Sequence, residues 1–192
     1  MAGKSKAKER KQEKKVSTRR SDSQAGNELL LLWAILGEGG GGDVSRSAYE
    51  KARTQQETAD AQVNAARAVP RRCGTTAFPA VAPLALSQQL SQIAAGHSVM
   101  MSARDGLMHQ DPDGSTPADR VRRGGYDARI VGENVASGAP TATEVVAGWL
   151  ASPGHCANIM DARFTEMGIA YVVAPRSGGA IYWTQLLAAR RS

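Results

Sequence analysis

A chain of 192 residues that is 42% hydrophobic can bury one sizeable core, which fits a single domain with extensions. Its formal charge of +6 would suit a nucleic-acid binder, yet residues 1–20 hold nine Lys or Arg and two Glu, a net of +7, leaving −1 on the other 172. The basicity belongs to a tail, and the composition excludes a folded body that is broadly basic.

That tail, MAGKSKAKERKQEKKVSTRR, is too polar to bury surface against the entropy of ordering it and is expected to be disordered. No aromatic residue interleaves with its charges and no recognition motif follows. It therefore predicts no specific nucleic-acid partner, only salt-sensitive contact with anionic surfaces. LLLLWAILG, residues 29–37, is far short of the roughly 20 apolar residues that cross a bilayer. It matches the apolar region of a secretory signal, although its leader is long and no small-x-small cleavage site follows. Gly39 to Gly42 reads as a flexible linker, so residues 1–42 form a tail and signal region ahead of a folded domain at 43–192.

Asp43 to Val69 is free of Gly and Pro before Pro70 and rich in Ala, Gln, Glu and Arg, which predicts a helix. Leu86 to Arg104 predicts a second, with Leu86, Leu90, Ile93, His97 and Met101 on one face. His97 lies among apolar neighbours and is expected to be a hydrogen-bonded core histidine. In HQDPDGSTPADRVRRGGY, Asp111, Asp113 and Gly114 lack the spacing of a calcium loop and are explained by turn chemistry. Thr116 is placed to cap a short helix that opens with Pro117 and stops at Gly124.

ARIVGENVA (128–136) is a candidate strand, with Gly132 marking a bulge or a close approach of backbone. Thr141 and Glu144 form a capping box, which starts a helix carrying Val145, Val146, Trp149 and Leu150. Ser152 then reads as a further N-cap with Pro153 behind it, placing His155 in the first turn of another helix. The partial positive charge there disfavours imidazolium, so His155 is expected to stay neutral. EMGIAYVVA (166–174) and AIYWTQLLA (180–188) read as a hairpin, and few strands with several helices predict an α+β layered architecture.

The two cysteines, Cys73 and Cys156, lack metal-binding spacing. A catalytic dyad of Cys156 with His155 is opposed by geometry, because neighbours on a helix project about 100° apart. In an exported chain a Cys73–Cys156 disulfide is the stronger reading.

NAARA (64–68), RCG (72–74), the run from Asp113 to Tyr126, GENVA (132–136), TATEVVAGWLASPGHCANIM (141–160), FTEMG and YWTQ together resemble a bacterial CAP domain over about residues 55–188. That superfamily groups cysteine-rich secretory proteins, antigen 5 and plant pathogenesis-related proteins. The resemblance implies an α-β-α sandwich with a small antiparallel sheet between helices, an extracellular or periplasmic location, and a cleft lined by histidines and acids. His109, His155 and Glu133 would line it, with Glu166 as the second acid, because the family's usual position for that acid, within residues 150–152, has none. Asn134 would brace the GEN turn.

Two imidazoles, a carboxylate and a water can hold Zn²⁺, which makes a metal-assisted hydrolase the alternative function. The favoured expectation is a binding or interaction module whose cleft takes a small apolar ligand, a peptide or cell-envelope material. No nucleophile stands out, since Ser98, Ser137 and Ser152 have capping, turn or packing explanations and none lies in GxSxG.

Overall fold

The computed structural model describes residues 42–174 and 178–191. The basic tail, the apolar segment and most of the glycine linker lie outside the described residues. The chain separates into two units, Met1–Tyr49 and Glu50–Ser192. Helix α1, Gly42–Arg67, begins in the first, and its part from Glu50 onward belongs to the second. Gly42 is thus helical, which corrects its assignment to the linker.

In the second unit α1 is followed by a two-stranded hairpin, β1 (Arg71–Cys73) and β2 (Thr76–Phe78), whose strands pair antiparallel. A short β3 (Ala85–Leu86) leads into α2 (Gln88–Arg104). Then come α3 (Pro117–Arg123), β4 (Ala128–Ser137), α4 (Ala142–Ala151) and α5 (Pro153–Met160). The chain closes with β5 (Glu166–Ala174) and β6 (Ala180–Arg190). The main sheet has the order β3-β5-β6-β4, with β3 parallel to β5 and the other pairs antiparallel.

Strand alternation sorts the core into two layers. Met167, Ile169, Trp183 and Leu187 pack with Ala59 and Val63 of α1, Val145, Val146 and Trp149 of α4, and Ile159 and Met160 of α5. Leu186 and Ala188 turn the other way, against Leu90 and Ala94 of α2 and Val121 of α3. Helices therefore cover both faces, giving the α-β-α sandwich. The α2 layer sits closest at Gly168, where an added Cβ would overlap the Leu90–Ser91 backbone, so β5 is glycine at the point where the helix crosses it.

Local rules account for most boundaries. Thr116 and Thr141 both form full capping boxes, with Asp119 and Glu144 respectively. Helix α2 starts later than its apolar spacing suggests: Ser87 caps it by accepting from Leu90 N–H, and Leu86 lies outside it, 41% exposed. The buried face of α2 includes Ser91 and Ser98, polar but satisfied. Ser91 Oγ donates to Ser87 O at 3.0 Å, and Ser98 shares a 2.8 Å bond with Thr184. Gly132 is a close approach, since its Cβ would come within 2.7 Å of Phe164 Cζ, while the bulge in β4 falls between Ala128 and Ile130.

The hairpin is tied to α5 by the disulfide Cys73–Cys156, with a sequence separation of 83. Arg67, wholly buried at the end of α1, fastens the same corner. It donates from Nη1 to Ile159 O at 2.6 Å and Asp161 O at 3.0 Å, and from Nε to Ala82 O at 2.7 Å. Burial lowers its pKa, and the nearby Asp161 carboxylate opposes that shift.

Candidate functional site

Among the described residues strand β4 pairs only with β6 and is an edge of the sheet. Two of its carbonyls accept side-chain bonds, which blunts the edge as a template for another strand. Asn158 Nδ2 of α5 donates to Glu133 O at 3.1 Å, and Trp149 Nε1 of α4 donates to Val135 O at 3.2 Å.

Because side chains alternate along a strand, the adjacent Glu133 and Asn134 project to opposite faces of this edge. Asn134 reaches α5: its Nδ2 donates to His155 O at 3.3 Å and to Gln185 Oε1 at 2.9 Å, while its Oδ1 accepts from Asn158 at 2.9 Å. Residues 132–136 are strand and not a turn, so Asn134 braces the helix that carries His155.

Glu133 serves the other face. Its carboxylate is 2% exposed, and Oε1 lies 2.9 Å from Nδ1 of His109, a ring that is itself 54% exposed. Oε2 accepts from Nη2 of Arg120, which is 7% exposed and projects from α3. Arg120 Nη1 also donates to His109 O at 3.0 Å and to Asp111 Oδ1 at 3.1 Å. This guanidinium is the hub of the region, and its role was not readable from the sequence, where Arg120 is one of three arginines on a short helix. The signals available were its place in the DR pair behind a capped turn and the lack of any carboxylate partner at helical spacing on the same face.

His97 behaves as expected of a core histidine, wholly buried with Nδ1 2.9 Å from Asp111 Oδ1 and Nε2 2.8 Å from Met108 O. Asp111, Asp113 and Gly114 form a turn in which Gly114 N–H reaches Asp111 O at 2.8 Å and Ser115 N–H reaches Asp113 Oδ1 at 2.9 Å. The bonds from Ser115 and the neighbouring Arg123 lower the Asp113 carboxyl to about 2.

His155 sits in the first turn of α5, partly buried. Its pKa is lowered, first by burial and then by the charge of His109. The two rings are carried by segments on opposite sides of the β4 edge, His109 against Glu133 and His155 on α5. His155 is thus kept neutral as expected, but burial and the second imidazole are the causes. Ser152 is the N-cap residue of α5 with Pro153 at its start, as expected, but its side chain makes no capping bond. Its N–H instead closes α4 on Gly148 O and Trp149 O, both at 3.2 Å.

Glu166 has partners of its own, Arg190 and Tyr126. It lies at the start of β5, where Oε1 accepts from Arg190 Nε at 3.0 Å. Burial together with the Glu166 carboxylate raises the phenol of Tyr126 to about 12. Glu166 therefore belongs to a separate Tyr126–Arg190 cluster, in which the Arg190 guanidinium stacks 4.1 Å from the Tyr126 ring centroid.

For a metal, the arrangement leaves two donors. Both oxygens of Glu133 are occupied, by His109 and Arg120, so this carboxylate orients an imidazole instead of ligating. Among the described residues, no three His, Cys, Asp or Glu side chains are grouped to hold a metal ion. The described residues do not fit a three-ligand protein site.

Residues 61–187 match the family model of the cysteine-rich secretory proteins, CAP. The chain belongs to this family. YkwD of Bacillus subtilis, an uncharacterised protein, is 37% identical over 103 residues, covering 54% of this chain and 38% of its own length. A second protein of that bacterium, the uncharacterised membrane protein YlbC, is 29% identical over 89 residues, covering 46% of this chain and 26% of its own. The CAP chain thus spans well under half of either relative.

Among solved structures, an extracellular SCP-domain protein of Bacillus anthracis superimposes with a TM-score of 0.61 and 24% identity, over 80% of this chain and 45% of that one. An outer surface protein of Borrelia burgdorferi gives a TM-score of 0.58 and 17% identity, over 72% of this chain and 95% of that one. Identities this low speak for the fold alone, and the fold agrees with the CAP sandwich described above.

Proposed function

We propose that this CAP-family chain is an exported binding module, with His109 and His155 as the groups that contact the bound molecule. One observation carries the reading: the His109 ring is 54% exposed while its Nδ1 is tied to the buried Glu133 carboxylate. A buried acid holding an outward-facing imidazole fixes the ring's tautomer and leaves Nε2 as an acceptor toward solvent. His155, kept neutral beside it, presents a second imidazole of the same kind.

The class of ligand is a lipid, a peptide or cell-envelope material. Export is supported by the Cys73–Cys156 disulfide, a bond that persists in oxidising compartments. Among the described residues no helix is long and apolar enough to cross a membrane. A divalent cation such as Zn²⁺ would be held by the His109 and His155 imidazoles, and it would supply a Lewis-acid anchor for an anionic group of the ligand. Binding without bond cleavage is favoured because Ser98, a fully buried hydroxyl facing the sheet, is spent on Thr184 and Ala170 O.

Co-sedimentation of the full chain with purified peptidoglycan and with phosphatidylglycerol vesicles tests this. Retention on one of the two, lost in His109→Ala/His155→Ala, is the expected result. Equal retention of wild type and double variant would remove the histidines from the site. Calorimetric titration with Zn²⁺ of wild type and His155→Ala addresses the cation, and equal heats would count against it.

A further inference from the structure

Helix α2 buries one imidazole whose two nitrogens both face oxygen acceptors. Nδ1 of His97 lies 2.9 Å from Asp111 Oδ1, and Nε2 lies 2.8 Å from the Met108 carbonyl. A backbone carbonyl has no proton to give. The Asp111 oxygen is already an acceptor from Arg120 Nη1 at 3.1 Å, so it does not supply one either. A neutral imidazole has one N–H and one lone pair, and here that lone pair would be set against an oxygen lone pair in a dry interior. We propose that His97 is a buried imidazolium that donates from both nitrogens, and that it is a positioning residue for His109.

The acids stand around the ring: Asp111 is 16% and Glu133 2% exposed, Arg120 pairs with both, and the half-exposed Arg123 lies 3.9 Å from Asp111. Glu133 Oε1 also stands 3.7 Å from His97 Nε2, so the added charge faces both acids.

The positioning follows from where the bonds land. His97 grips the chain at Met108, one residue before His109, and at Asp111, two residues after it. Arg120 takes the carbonyl of His109 itself at 3.0 Å. The loop backbone is held on both sides of His109, which sets its Nδ1 against Glu133. The inference deepens the reading of His109 as a contact group, but the protonation state of His97 stands or falls without any ligand.

The test is nitrogen NMR of the full chain labelled at its histidine rings, at neutral pH. The expected spectrum shows both His97 nitrogens protonated, with ring protons protected from solvent. One unprotonated His97 nitrogen would overturn the proposal. In His97→Gln one amide nitrogen replaces two ring nitrogens and cannot span both anchors, and the ratio of the Nδ1–H to the Nε2–H tautomer of His109 should fall about tenfold. An unchanged His109 tautomer in a folded His97→Gln protein would overturn the positioning role. Should that variant not fold, the wild-type ring spectrum decides alone. Because no ligand is present, failure here is distinct from failure of the binding reading.

Discussion

Removing the Cys73–Cys156 bridge tests how the turn carrying His155 is anchored. Helix α5 has eight residues, too few to persist by its own propensity. It is held by the disulfide, by the Asn134 and Asn158 bonds to β4, and by Ile159 and Met160 in the core. The bridge closes a loop with a sequence separation of 83, for which the chain-entropy relation gives about 4.5 kcal/mol at 25 °C. A domain of this size is typically stable by about 5–15 kcal/mol, so the loss would consume a large share of the total. The assay is urea denaturation of wild type and Cys73→Ala/Cys156→Ala, followed by the fluorescence of the buried Trp149 and Trp183. The double variant should fold, because the polar braces of α5 remain, but with stability lower by about 3–5 kcal/mol. A loss under about 1 kcal/mol would refute the view that the bridge restricts the unfolded chain and pins α5.

Three other outcomes follow from the same geometry. Arg120→Met leaves Glu133 and Asp111 buried without their shared cation and should cost about 3–5 kcal/mol in chemical denaturation; Arg120→Met/Glu133→Gln should recover part of that loss. Gly168→Ala forces α2 away from β5 at Leu90 and should destabilise by about 1–3 kcal/mol, read as a lower urea midpoint at unchanged slope. His155 has a folded pKa below its ordinary 6.5, so the unfolded chain takes up its proton first as pH falls. Its contribution to stability is therefore intact above 6.5 and is lost as pH falls through the lowered folded value. In His155→Ala that part of the acid-side decline, measured by denaturation across the range, should disappear.

The helices and strands were legible because their determinants are local, and the α-β-α sandwich was legible through the family resemblance. Thr141 with Glu144 and Thr116 with Pro117 and Asp119 each declare a helix start within four residues. The strands at 128–136, 166–174 and 180–188 read directly from their β-branched and aromatic runs. Leu86 misled because its spacing to Leu90 is helical, while Ser87, a capping hydroxyl placed after it, decides the boundary. The pairing of His109 with Glu133 was legible through resemblance, since nothing local joins residues 24 apart. Arg120 and the second acid were not. A guanidinium on a short basic helix looks like a solvated charge until the fold sets two carboxylates against it. Glu166 looks like a site acid until Arg190, 24 residues on, pairs with it across the hairpin. Asn134 was read as a turn brace because the consequence of alternation, Glu133 to one face and Asn134 to the other, needs the strand and its edge position to be known.

The central claim is that His109 and His155, carried on opposite sides of the β4 edge, serve one site, so that His109 contributes to the lowered pKa of His155. Titration of His155 by NMR in wild type and in His109→Ala measures this directly. The account predicts that the His155 pKa rises in the variant, because one of its two depressing causes is gone, yet stays below 6.5, because burial remains. A His155 titration unmoved by the loss of His109 would contradict it.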